Sequence, residues 1–294
     1  MLNFQTEQLR TFLAVLEHGT FDAAARTLHV SASAVSQRIK AMEQAAGQVL
    51  LQRTTPIQST APGAVVHKLA RQLRQLEADA AAELGLAGAT AAIPLVVNAD
   101  SLATWFVDAL AAVPSESGLT FEVLREDEQH SAGLLRSGAV MAAVTATPDA
   151  VQGCSVVPLG ALRYRAVASA GFLRRWFPDG VDTAHFAIAP AIQFDRSDTL
   201  QSNFFAAVAG AGLTAPQHFI PDTLQFAAAV RAGLGWGLMP EVHCAGELRA
   251  GSLVELVPGR VTGIPLYWQR WKIQSVALDL LTAAVTTTAA AALS

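Results

Sequence analysis

Residues 1–50 are punctuated so closely that few backbone paths fit them. From Thr6 to His18, Leu9, Phe12, Leu13 and Leu16 recur at steps of three and four, and Gly19 stands where a helix stops. Thr20 can cap a second helix that aligns Ala24, Ala25 and Leu28, and His29-Val30 then turns the chain. Ser31 caps a third helix, whose Val35, Ile39 and Met42 form a narrow apolar stripe. Three short helices with a tight turn between the last two fit a helix-turn-helix. After Gly47, "QVLLQRTTPIQSTAPG" supplies strand-like Val49 and Leu51, a Thr-Thr-Pro turn and a polar return, which predicts a two-stranded wing with Arg53 near its tip.

Thr60 next caps a long helix through Leu84, with Pro62 in its first turn. Val65, Leu69, Leu73, Leu76, Ala80 and Leu84 make a seam of the kind that pairs with another helix, so a homodimer is the economical inference, with Val65, Leu69, Leu73 and Leu76 as its contacts. "GLAGATAAIP" (Gly85 to Pro94) reads as a linker. Beyond it, strand-like "LVVNAD", "TFEVLRED", "AVMAAVTA" and "FAIAPAIQF" alternate with helical "LATWFVDALAAV", "SAGLLRSG" and the run Phe204 to Gly210, as in a parallel α/β sheet. The alanine-rich tail reads as a plain helix. The fold class is therefore multidomain, α followed by α/β.

Composition supports this and excludes alternatives. With 294 residues, 52% hydrophobic and 15% charged, the chain can build about two well-formed cores. The N-terminus lacks a signal-peptide pattern and no apolar run approaches the roughly 18 residues of a membrane span, so the expectation is a cytoplasmic protein without a membrane partner. Cys154 and Cys244 are far apart, which argues against a disulfide framework or a zinc site and for two buried thiols. No HExxH or GxSxG occurs, and "GLGWGLMP" lacks the Lys-Ser/Thr ending of a phosphate-binding loop; it reads as a helix stop leading into a closely packed strand. No catalytic residues, metal ligands or cofactor are expected. Net charge is −4, but residues 1–60 hold five basic groups (Arg10, Arg26, Arg38, Lys40, Arg53) and four acidic ones (Glu7, Glu17, Asp22, Glu43), a net of +1. That asymmetry is too weak to predict nucleic-acid binding without a motif.

The motif supplies it. In a helix-turn-helix the first turn of the second helix meets base edges, where short polar side chains hydrogen-bond without displacing the backbone. Ser31, Ser33, Ser36 and Gln37 fit that role, Ala34 can touch a thymine methyl, and Arg38, Lys40 and Arg53 can hold phosphates.

The run "LRTFLAVLEHGTFDAAARTLHVSASAVSQRIKAMEQAAGQVLLQR" followed by a capped helix resembles the N-terminal domain of the LysR-type transcriptional regulators. "PLVVNADSLATWF" (Pro94 to Phe106), "REDEQH" (Arg125 to His130), "LLRSGAVMAAVT" (Leu134 to Thr145), "VRAGLGWGLMP" (Val230 to Pro240) and "YWQRW" (Tyr267 to Trp271) are similar to the subgroup that controls export of basic amino acids, the lysine-export and arginine-responsive regulators. The resemblance implies a winged helix-turn-helix over 4–60, a linker and dimerisation helix with hinge over 61–90, and a two-lobed effector domain like the periplasmic binding proteins over 91–294. Lobe one would span about 91–162 plus 266–294, and lobe two about 163–265. It implies promoter DNA, RNA polymerase and further copies of the chain, as dimer or tetramer, as partners, with lysine or arginine as effector and an exporter gene as activated target.

For such an effector, "NADSLATW" places Asn98 to Ser101 at a strand end before a helix whose free N–H groups suit a carboxylate. A side-chain cation needs an acceptor, and Asp100, Glu126, Asp127, Glu128, Asp195 and Asp222 are the candidates. Trp105 could offer a cation-π wall, and Thr145 and Gln193 complete the candidate set. The alternatives are a LysR-type regulator with a different small-molecule effector and a cytoplasmic solute-binding α/β protein. Two substitutions test the division of labour in the reading head. Arg53→Ala should weaken binding to every DNA site alike and reduce the salt slope by about one, whereas Gln37→Ala should blur the ranking of sites. Competition gel shifts against a panel of operators, at two salt concentrations, distinguish the two; uniform weakening by both would refute the division.

Overall fold

The computed structural model describes residues 4–86, 92–126, 128–210, 212 and 214–293. Helices α1 (Thr6–His18), α2 (Phe21–Thr27) and α3 (Ala32–Ala46) open the chain. Gly19 ends α1 at φ +72°, a conformation in which a side chain would be strained. Thr20 Oγ1 accepts the Ala23 N–H at 3.1 Å, and Ser31 Oγ accepts that of Ala34 at 3.1 Å. Each cap satisfies a donor that the first turn leaves over. His29 makes the reversal between α2 and α3 at φ +54°. The wing is β1 (Leu51–Gln52) paired antiparallel with β2 (Gln58–Ser59). Val49, expected in this strand, lies outside it and is exposed. Its carbonyl accepts the Thr60 hydroxyl at 2.7 Å and the Glu43 carboxylate takes the Leu50 N–H at 2.9 Å, so side chains use this backbone before the ladder begins.

The long helix α4 (Ala61–Glu83) starts at Thr60, whose Oγ1 accepts the Gly63 N–H at 3.0 Å. Its inward face carries Gly63, Val66, His67, Ala70, Arg71 and Gln75, all buried. Val66 and Ala70 join Phe12, Val15, Val35, Met42 and Leu50 in one core. On the other face Val65, Leu69, Leu76 and Leu84 are exposed, whereas Leu73 packs half-buried against the helical core. Polar groups fasten the same joint. Glu17 pairs with Arg74 at 2.8 Å and Arg71 at 3.6 Å, and Arg10 pairs with Glu77 at 3.2 Å.

Two compact units divide the chain, one of 1–97, 113–157 and 268–283, the other of 98–112, 158–267 and 284–294. In the first, β3 (Ile93–Val97) lies between β4 (Phe121–Arg125) and β5 (Ala142–Thr145), all parallel, with α7 (Glu128–Ser137) beside them. Ile93 and Pro94, read as linker, begin β3; both are buried, and the Pro94 carbonyl accepts the Met141 N–H at 2.8 Å. Helix α4 lies against this part of the unit: a Cβ on Gly138 would fall 2.6 Å from Lys68 Cα, and Lys68 Nζ donates to the Gln152 carbonyl at 3.1 Å.

The second unit begins with α5 (Ala99–Ser101), which runs through a π-helical turn, Leu102–Phe106, into α6 (Val107–Ala111). Strand β6 (Cys154–Ser169) enters the unit at Pro158; α8 (Ala170–Trp176), α9 (Thr183–Phe186), β7 (Ala191–Gln193), α10 (Leu200–Ala209), β8 (Gln217–Phe219) and α11 (Thr223–Arg231) follow. Then come β9 (Gly237–Pro240), α12 (Glu241–Ala250), β10 (Leu253–Glu255) and β11 (Val261–Trp271), which leaves the unit after Tyr267. Here β6 pairs antiparallel with β9 and β10, and β7 parallel with β8. The run "FAIAPAIQF" is a strand only over its last residues. Asp182 Oδ1 accepts the His185 N–H at 2.8 Å and starts α9, and Pro190, lacking an N–H, sits just before β7. The glycines of "GLGWGLMP" are packing glycines: a Cβ on Gly237 would meet the Phe226 ring at 2.5 Å and one on Gly235 the Pro190 carbonyl at 2.8 Å. The tail is α13 (Val276–Ala292), and no described helix is long and apolar enough to cross a membrane.

His67 makes the α4 joint sensitive to acid. It is 8% exposed, its Nε2 accepts the Arg71 Nε–H at 3.0 Å, and burial together with the Arg71 and Arg74 charges lowers its pKa to about 4. The folded state keeps it neutral while the unfolded chain protonates below about 6.5. Stability should therefore fall as pH drops from about 6.5 to about 4, by up to about 3 kcal/mol, and level off below. His67→Gln keeps an acceptor for Arg71 and should flatten that part of the profile. Denaturant midpoints at pH 7, 6 and 5 test this, and parallel profiles for the two proteins would contradict it.

Candidate functional site

The reading head presents α3 with one face buried and the other free. Val35, Ile39 and Met42 are in the core, while Ser33, Ser36, Gln37 and Lys40 are exposed and Ala34 is half-buried. Ser31 spends its hydroxyl on the N-cap and lies 2.9 Å from Ser33 Oγ, which orients the first turn. Arg53 is exposed directly after β1. Arg38 differs from the expectation of a backbone-holding residue: its Nη1 donates to Thr11 Oγ1 at 3.1 Å and lies 3.4 Å from Glu7 Oε2, so part of its charge is spent within the head.

The candidate effector residues fall into three groups. The first lies in the second unit. Asn98 caps α5 by accepting the Ser101 N–H at 2.8 Å, which leaves the Asp100 carboxylate unneeded for capping. Its Oδ2 accepts the Tyr164 hydroxyl at 2.7 Å, and its Oδ1 the Thr223 hydroxyl at 2.7 Å. The π turn that follows is held by side chains: Thr104 Oγ1 donates to the Asp100 carbonyl at 2.7 Å, and His243 Nε2 lies 3.3 Å from the Ala103 carbonyl. Such turns widen a helix at functional sites. Asp198 shares this neighbourhood. It accepts the Phe194 N–H at 3.1 Å and the Leu200 N–H at 2.8 Å, yet its pKa is raised, first by burial and further by the charges of Asp100 and Asp195. Gln193, one residue from Phe194, donates through Nε2 to Ser202 Oγ at 3.3 Å. Its Oε1 and the Ser101 Oγ are buried without a hydrogen-bond partner, as is Trp105 Nε1. Leaving such groups unpaired costs about 1–3 kcal/mol each.

The second group is engaged elsewhere. Asp222 is exposed and caps α11, accepting the Gln225 N–H at 2.9 Å. Asp195 closes a turn, accepting from Ser197 N–H, Ser197 Oγ and Asp198 N–H at 2.7, 2.6 and 3.0 Å; the Ser197 hydroxyl, first, holds its pKa low. Thr145 lies in the first unit, where its hydroxyl donates to the Thr147 carbonyl and accepts from Gln269 Nε2, each at 3.2 Å. Trp105 is buried edge-on to Phe106 at 5.4 Å. Glu126 is exposed. The third group, Asp127 and the Glu128 side chain, lies outside the described residues. Tyr164, Asp198 and Thr223 were not among the sequence candidates; Tyr164 and Thr223 meet Asp100 across 64 and 123 residues, contacts that leave no local pattern.

Two buried thiols, Cys154 and Cys244, are free. Among the described residues no cluster of three or more His, Cys, Asp or Glu side chains could hold a metal ion.

Comparison with known proteins agrees with both halves of the chain. The bacterial regulatory helix-turn-helix family of LysR matches residues 6–64, and the LysR substrate binding domain matches residues 95–290. The HTH-type transcriptional regulator LysG of Mycobacterium tuberculosis is 44% identical over 277 residues, covering 94% of this chain and 90% of its own. The lysine export transcriptional regulatory protein LysG of Corynebacterium glutamicum is 40% identical over 281 residues, 95% of each chain. Among solved structures, ArgP from Mycobacterium tuberculosis superposes with a TM-score of 0.89 at 43% identity over 97% of both chains. Full-length LysG from Corynebacterium glutamicum with bound effector Arg gives 0.81 at 37% identity, covering 98% of this chain and 99% of that one. With a reading helix, a wing, a capped linker helix and a mixed α/β effector region matched end to end, the chain belongs to the LysR family of bacterial transcriptional regulators, which bind DNA and are not enzymes.

Proposed function

We propose that this regulator senses a basic amino acid, lysine or arginine, and activates a gene for its export. The observation that carries the reading is the Asp100 carboxylate, held at 2.7 Å by the Tyr164 and Thr223 hydroxyls, with the buried, unpartnered Ser101 Oγ on the next residue. An amino acid with a cationic side chain brings donors at both ends, which such acceptors can receive in charge-assisted bonds. The names of the relatives, and the bound Arg of the LysG structure, support the same chemistry.

On this reading the DNA-bound form is a homodimer or a higher assembly. The exposed Val65, Leu69 and Leu76 on α4, with Leu84 at its C-cap, support it, since a stripe of this kind is normally covered. Effector binding favours one arrangement of the assembly, which changes how the heads engage a promoter and how RNA polymerase is recruited in the cytoplasm.

Thermal unfolding of the full chain tests the effector. Lysine or arginine at about a hundred times its Kd should stabilise by about 2.7 kcal/mol, and glutamate should leave the Tm unchanged. Equal shifts from glutamate and the basic amino acids would remove the basic-amino-acid assignment while leaving the regulator intact. A neutral amino acid that alone shifts the Tm would establish a different effector.

A further inference from the structure

We propose that Tyr164 and Thr223 are the residues that set this regulator's preference for a charged over an uncharged effector side chain, acting as positioning residues for Asp100. The proposal rests on the reading of Asp100 as the acceptor of the effector's cation. A carboxylate on a short side chain has several orientations, and a ligand that selects one of them meets an ordering cost. Here the orientation is set in advance. The two oxygens of Asp100 each accept a hydroxyl at 2.7 Å, from two different elements, β6 and the first residue of α11. Tyr164 is 4% exposed and Thr223 7%, so neither hydroxyl can readily exchange Asp100 for water.

The chemistry of these donors matters as much as their position. Both are neutral: they direct the carboxylate and leave its charge uncancelled, as an Arg or Lys partner would not. Each oxygen retains acceptor capacity after one bond, which a guanidinium or ammonium, having only donors, can use. The segment 98–112 also depends on these bonds, because Asp100 joins it to residues 64 and 123 positions away.

Calorimetry on the full chain with arginine and with citrulline, its uncharged isostere, tests the assignment. Tyr164→Phe and Thr223→Val should each lower arginine affinity about tenfold while moving citrulline affinity by less than about twofold, and Thr223→Ser should restore the wild-type ratio. Loss of both ligands by the same factor, or unchanged arginine binding in both variants, would overturn the positioning role. If Tyr164→Phe does not fold, the Thr223 pair alone decides. Asp100→Asn separates this proposal from the reading beneath it: arginine affinity should fall about a hundredfold or more. Wild-type arginine binding by Asp100→Asn would refute Asp100 as the cation acceptor itself, whatever the hydroxyl variants do.

Discussion

The inward face of α4 is the contact on which the first unit depends. At Gly63 the helix approaches the wing so closely that a Cβ would lie 1.9 Å from the Leu50 carbonyl oxygen, a distance no side chain can occupy. One and two turns on, Val66 and Ala70 complete the core around Phe12 and Met42. Arg71 and Arg74 then anchor to Glu17 on α1. Removing these apolar groups from water supplies the main favourable energy, and the ion pairs, partly exposed, add specificity of alignment more than stability. Because a helix has a fixed period, committing this stripe to the core also commits the direction of the opposite one. Val65, Leu69 and Leu76 are left outward, exposed among the described residues.

Much of this was legible because it is local. Thr20, Ser31 and Thr60 each cap a helix through a hydrogen bond to a residue three positions on, and a sequence displays such pairs directly. The long helix showed its seam but not its inward stripe, since Gly63, His67, Arg71 and Gln75 do not read as core residues. Leu73, read as part of that seam, is half-buried against the helical core. "FAIAPAIQF" failed as a whole strand because a short apolar run has no period of its own. Its Asp182 cap and Pro190 break were the overriding signals.

The site shows a finer limit. Asp100, Asp195 and Asp222 look equivalent in sequence, each an acid near the start of a helix or turn. The difference is whether a neighbour has already done the local work. Asp222 takes the Gln225 N–H and Asp195 closes its own turn, so their lone pairs are committed within three residues. Asn98 relieves Asp100 of that duty, and its carboxylate is free to take partners from far along the chain. A single sequence carries no mark of a bond across 123 residues. Asparagine as cap followed two residues later by aspartate is the only local trace, and it points to Asp100 once the competition between local and distant bonds is considered.

The reading helix can be judged by the same accounting of what each group is already bound to. Of its two basic residues, Arg38 is held by Thr11 and Glu7, leaving Lys40, with Arg53 from the wing, as the exposed cations best placed for phosphates. Each neutralised phosphate contributes about 0.9 to the salt slope, so a lone head has little non-specific affinity to draw on. In a chain of net charge −4 that weakness is useful, since a single head does not coat DNA indiscriminately. Joining heads raises affinity through effective concentration rather than through charge, and only when their spacing matches the half-sites. Affinity then depends on geometry, which an effector can change, instead of on charge, which it cannot.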